Sequence, residues 1–133
     1  MPNWGSWDDV ESSGGPDNGW NDLAFGGYKY EDKSTGGQEN HWFALQFPGC
    51  SASLNFFPDH PADGHQKCTR ISKGKLKAFF EAAGCDKETM PEMRPDKIKE
   101  ALDAYEVSGI LIGCLVADGD RGYKVIKNFR KAK

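Results

Sequence analysis

The chain has 133 residues, of which 38% are hydrophobic and 28% charged, with sixteen glycines and a formal net charge of −3. That length suits one domain with its own core, and no apolar run reaches the ~20 residues that span a bilayer. The first residues, Met1 to Asp9, lack the basic-then-apolar order of a secretion signal, so an intracellular, cytoplasmic protein without a membrane partner is expected.

Residues 1–22 place Trp4, Trp7 and Trp20 among Gly, Ser, Asp and Asn without a period of two or 3.6. They are expected to form an acidic, Trp-rich segment that is mobile, folds back on the domain or docks on a partner, with folding back favoured. A single domain over 23–133 follows. Leu23 to Tyr30 reads as a strand kinked at Gly26-Gly27. The polar stretch Asp32 to Asn40 reads as a turn. From Asn40 to Phe47 the chain alternates, with His41, Phe43, Leu45 and Phe47 on one face and Trp42, Ala44 and Gln46 on the other. Pro48-Gly49 turns it, and Ala52, Leu54 and Phe56 alternate again in a third strand over 51–57.

After a Pro/Asp/Gly loop, a helix is expected to start between Gln66 and Ser72 and to end at Ala83 before Gly84. Leu76, Phe79, Phe80 and Ala83 form its apolar stripe. A second helix is predicted over Asp96 to Tyr105 behind Pro95, with Ile98, Ala101, Leu102 and Tyr105 inward. The remainder reads as a hairpin turning at Asp118 to Gly122. Its first strand is apolar on both faces and therefore expected to be buried on both. The second carries Arg121, Lys124, Lys127 and Arg130 beside Tyr123 and Phe129. The order β-β-β-α-α-β-β predicts a β-rich α+β fold, an OB-fold-like small barrel. SH3-like barrels and α+β sandwiches fit nearly as well.

Charge divides along the chain. Residues 1–65 hold ten acids against Lys29 and Lys33, while residues 66–133 hold fifteen Lys or Arg against ten acids. A polyanion would be drawn to one part of such a surface and repelled by another. Cations interleaved with aromatics suit a single nucleic-acid strand, rings stacking on bases and charges meeting phosphates. The candidate nucleic-acid-binding residues are Tyr28, Lys29, Tyr30, Trp42, Tyr123, Lys124, Lys127 and Arg130. Trp42 is the sharpest of them, because Phe43, Leu45 and Phe47 claim the core and leave it facing the other way. The competing reading packs each ring into the protein; Tyr123, in phase with Val125 and Phe129, is as easily core.

From about Tyr28 onward the chain resembles a family of small phage proteins. The matching pieces are Lys33-Ser-Thr-Gly-Gly, the strand from His41 to Phe47 with Pro48-Gly49, the helix from Leu76 to Gly84, the strand from Gly109 to Val116, and Tyr123 to Phe129. The resemblance implies an OB-like core, a role in phage DNA replication or recombination, and single-stranded DNA as partner. The chain departs from that pattern in its acidic N-terminal segment and its basic end, Arg130-Lys-Ala-Lys. The alternative from another class is a phage inhibitor of a host defence or polymerase component, anchored through the acidic, Trp-rich residues 1–22, with Asp8, Asp9 and Glu11 among its acids.

No catalytic motif is present (no GxSxG, no phosphate-binding GxxxxGK[ST], no dinucleotide fingerprint after a strand), so an enzyme is not expected. Cys50, Cys68, Cys85 and Cys114 show no CxxC and are read as reduced thiols. Cys50, His60, His65 and Cys68 supply a donor set that zinc accepts, in the order Cys-x9-His-x4-His-x2-Cys. The spacing matches no common zinc module, and histidines in such a loop are ordinarily solvated or capping. No cofactor is expected, with a structural zinc as the minor alternative. Between two strands, Asp118 to Gly122 is a turn and lacks the acidic ladder of a calcium loop.

Overall fold

Alternating segments of five to eight residues cannot bury their apolar face alone, and here they pair edge to edge. The computed structural model describes residues 17–58, 60, 62–119 and 122–133. Its elements are β1 (Gly19–Ala24), β2 (Tyr28–Asp32), β3 (His41–Phe47), β4 (Cys50–Phe56), α1 (Asp63–Ala82), α2 (Pro95–Ser108), β5 (Leu111–Asp118) and β6 (Lys124–Lys131). The strands form one mixed six-stranded sheet in the order β1-β5-β6-β4-β3-β2. Every pairing is antiparallel except β4 with β6, which run parallel. The fold is thus β-rich α+β. No ladder joins β1 to β2, and the sheet is not closed into a barrel.

The expected strand over Leu23 to Tyr30 proves to be two strands, one at each edge of the sheet. They follow one another through the corner Phe25-Gly26-Gly27. The Phe25 amide donates to Ile110 O and the Gly26 amide to Gln46 O, while Gly27 O accepts from the Gln46 amide, each at 2.8 Å. The corner therefore bonds to both flanks of the sheet. Gly27 has φ +108°, and a Cβ there would also meet the Glu106 carboxylate. Phe25 is 2% exposed, its ring 5.0 Å from that of Phe79 and 5.5 Å from that of Phe47.

One face of the sheet is covered. Phe43, Leu45, Phe47, Leu54, Phe56, Ile112, Val116, Ile126 and Phe129 are buried with Leu76, Phe79 and Phe80 of α1 and Ile98 and Leu102 of α2. α1 starts at Asp63, three residues before the earliest expected position, and α2 runs to Ser108, three residues beyond Tyr105. Gly84 (φ +101°) and Gly109 (φ +61°) take the left-handed conformation just past α1 and α2, where a Cβ would be strained. β5 departs from its expectation of burial on both faces: Ile112, Cys114 and Val116 are buried, but Leu111 is exposed and Leu115 half-exposed. A bulge between Leu115 and Val116 leaves Lys127 as the extra residue on β6, so Ile126 and Phe129 both face inward.

β4 meets β6 only at Cys50–Lys124 and Ser51–Val125, so its later amides lack a strand on that side. Two buried hydroxyls of α1 take them: the Asn55 amide donates to Ser72 Oγ at 2.9 Å and the Phe57 amide to Thr69 Oγ1 at 2.8 Å. Ser72→Ala leaves the partly buried Asn55 amide without its acceptor and is expected to cost about 1–3 kcal/mol in urea unfolding. Gly27→Ala forces a side chain into the left-handed region and is expected to cost about 1–3 kcal/mol. An unchanged unfolding midpoint in either variant would contradict the role given to that residue.

Candidate nucleic-acid interface

Neither helix covers the opposite face of the sheet. On its β2-β3-β4 stretch, Trp42 pairs across with Glu31 and Asn55, and Ala44 with Lys29 and Ser53. The Trp42 ring is half-buried, and Lys33 Nζ stands 5.0 Å from its centroid. Lys33 reaches that position from the turn after β2, with Glu31 Oε2 3.7 Å from its ammonium. The turn is itself ordered, because Ser34 N donates to Asp32 Oδ1 and the Asn40 amide to Ser34 Oγ, both at 3.0 Å. The Ser34 hydroxyl, together with the Ser34 amide, holds the Asp32 carboxyl below the usual carboxylate range. Next to Trp42 on this face, Ala44 is buried and Ser53 is exposed.

A second aromatic–cation pair lies on the same face, over β1, β5 and β6. The Arg130 guanidinium is 4.3 Å from the Trp20 ring centroid. Gly113, between them on β5, allows the crossing: a Cβ there would come within 2.8 Å of Arg130 Cγ. Arg130 Nε is buried without a hydrogen-bond partner among the described residues. By sequence, Trp20 belongs to the N-terminal segment. Only its place in β1, opposite Leu115, brings it to the sheet.

The structure separates the other candidates. Tyr28 and Tyr30 sit opposite Leu45 and Phe43 in the β2–β3 register, which turns both rings to the helix side, away from Trp42. Burial, with a hydrogen bond to Asp103, pushes the Tyr28 hydroxyl up to about 12. The Tyr30 hydroxyl lies 2.8 Å from His41 Nδ1, and Lys99 Nζ stands 4.4 Å from its ring centroid. Lys124 is committed to Asp118 Oδ1 at 2.6 Å and Asn18 Oδ1 at 2.8 Å; its bond to Asp118, with one donated to Asp118 Oδ2 by Asn18 Nδ2 at 3.1 Å, lowers the Asp118 pKa. Lys127, at the bulge, helps to lower the pKa of half-buried Lys75, whose burial is the larger cause. Tyr123 precedes β6 and is 73% exposed, neither core nor in line with Phe129. Of the eight candidates, then, Lys29 and Trp42 share one stretch, Arg130 lies on the other, and Tyr123 stands at the hairpin end. Arg121, Trp4, Trp7, Asp8, Asp9 and Glu11 lie outside the described residues.

The zinc alternative fares differently. His60 and His65 are neighbours, ring centroids 4.1 Å apart and both against Phe57. Cys50 starts β4 inside the core cluster with Cys114, and Cys68 stands on α1. Among the described residues no three His, Cys, Asp or Glu side chains gather as a metal site. No described helix is long and apolar enough to cross a membrane. Compared with known protein families and with curated proteins, the chain matches none.

Burial pushes the Cys114 thiol from 9.0 up to about 12, and that of Cys50 in the same direction. A thiol with a raised folded-state pKa contributes stability fully below its unfolded value and loses it as the pH climbs through the folded one. Denaturation midpoints are therefore expected to fall between pH 9.0 and about 12. The fall should be shallower in Cys114→Ala; an identical slope would exclude this thiol as a source.

Proposed function

We propose that this chain is a single-stranded nucleic-acid-binding protein built on an OB-type plan. The strand connections support the plan. Taken through its glycine corner, β1–β2 counts as one bent strand that pairs with β3 on one side and β5 on the other. A parallel β4–β6 pair and a helical connection between β4 and β5 complete the five-stranded, partly open Greek-key arrangement. In that plan the second and third strands carry the ligand, flanked by the loops after the first and fourth strands. Here these are β3 and β4, the turn holding Lys33, and the loop holding Tyr123. A phage protein acting on DNA in replication or recombination inside its host is part of the same proposal and rests on the sequence resemblance.

The observation that carries the reading is the Trp42 ring, on a sheet face that neither helix covers, with the Lys33 ammonium 5.0 Å from its centroid. One base stacked on such a ring is worth about 1–3 kcal/mol. Cations are few on this stretch, Lys29 and Lys33, and Glu31 competes for Lys33. Stacking therefore contributes more than phosphate neutralisation, and sequence preference is weak.

Titration with a dT thirty-mer is expected to quench tryptophan fluorescence. Two or three neutralised phosphates give a plot of log K against log salt with a slope of about −1.5 to −2. Trp42→Ala should weaken binding about 5- to 150-fold. No quench at micromolar protein, or full affinity in Trp42→Ala, would overturn the assignment.

A further inference from the structure

A cleft of about 630 Å³ opens between the second half of α1, the loop 83–94 and the start of α2. Its walls are apolar: Leu76 and Phe80 from α1, Met90, Pro91 and Met93 from the loop, Ile98 from α2. Its volume falls in the roughly 300–1,000 Å³ range of small-molecule sites. None of these residues belongs to the Trp42 face.

Two observations distinguish the cleft from loose packing. First, the loop is held by a constructed turn. Asp86 Oδ1 accepts from the amides of Glu88 at 2.9 Å and Thr89 at 3.0 Å and from the Thr89 hydroxyl at 3.1 Å, while Asp86 O accepts from the Met90 amide at 3.0 Å. The segment bearing the methionines is thus tied into a turn, and Met93 remains 55% exposed. Thioether side chains of this kind adapt to varied apolar shapes. Second, the rim has a surplus of positive charge. Lys73, Lys77 and Lys87 face Glu81 and Asp86 there, an excess of one cation, with Lys77 4.0 Å from Glu81. Lys73 and Lys87 make no ion pair among the described residues.

We infer that this cleft binds a small amphipathic anion, an apolar chain or ring bearing one carboxylate, its body against Phe80, Met90 and Met93 and its head at the Lys73 and Lys87 rim. Decanoate is a suitable probe, and methionine methyl NMR a direct readout, because the chain has only Met1, Met90 and Met93. Single Met90→Leu and Met93→Leu variants assign the signals. Decanoate below its micelle concentration should shift the Met90 and Met93 methyls saturably and leave Met1 in place. Decyltrimethylammonium should bind at least about tenfold more weakly, and Lys73→Gln with Lys87→Gln should weaken decanoate about fivefold or more. No saturable shift, equal affinity for the cationic amphiphile, or undiminished affinity in the double variant would overturn the inference. The probe is not a nucleic acid, so the outcome is independent of oligonucleotide binding.

Discussion

The structure depends on three residues that turn one chain segment from one edge of the sheet to the other. Phe25, Gly26 and Gly27 bond to Ile110 on one flank and Gln46 on the other. β1 and β2 consequently bring the two ends of a six-stranded sheet together without pairing to each other. An open sheet of that size would expose two edges, each a template for another chain. Here the edges run into one another at a corner anchored by a buried phenylalanine. A sheet bent so sharply has a covered side, filled by Phe43, Phe47, Phe79 and Phe129, and an outward side that neither helix reaches.

That division explains where chemistry can occur. The inward side is closed by aromatic contacts and by two α1 hydroxyls that complete the hydrogen bonding of β4. The outward side carries two tryptophans, each with a cation against its ring. The pairs differ in kind. Arg130 lies across Gly113 with its Nε buried, a fixed arrangement that secures β1 to β5 and β6. Lys33 comes from a turn, its ammonium at ion-pair distance from an exposed carboxylate. An exposed pair of that sort is worth little and is readily exchanged for a phosphate. Trp42 is therefore the better stacking platform, and Trp20 is structural.

Much of the fold was legible because the residues that determine it lie close in sequence. The β3–β4 hairpin follows from strict alternation around Pro48-Gly49, and the end of α1 from Gly84. β1 was not legible: Leu23 is its one inward aliphatic residue, and Gly19, Asn21 and Asp22 read as loop. Its partner β5 is some ninety positions away, a separation that local periodicity cannot bridge. The site was half legible for a related reason. Alternation places Trp42 outward, yet residue type alone groups Tyr28 and Tyr30 with it. Their side of the sheet is decided by register against Leu45 and Phe43. The bulge at Lys127 likewise left no signal in composition, and it breaks up the row of Lys124, Lys127 and Arg130.

Photo-crosslinking with a thirty-mer carrying 5-iodouracil tests the central claim most directly, because it reports where a base touches the protein. Adducts are expected on the peptide spanning β2 and β3, at Trp42, with a lesser yield at Tyr123. Adducts confined to α1 and α2, or none at saturating protein, would contradict a nucleic-acid role for the Trp42 face.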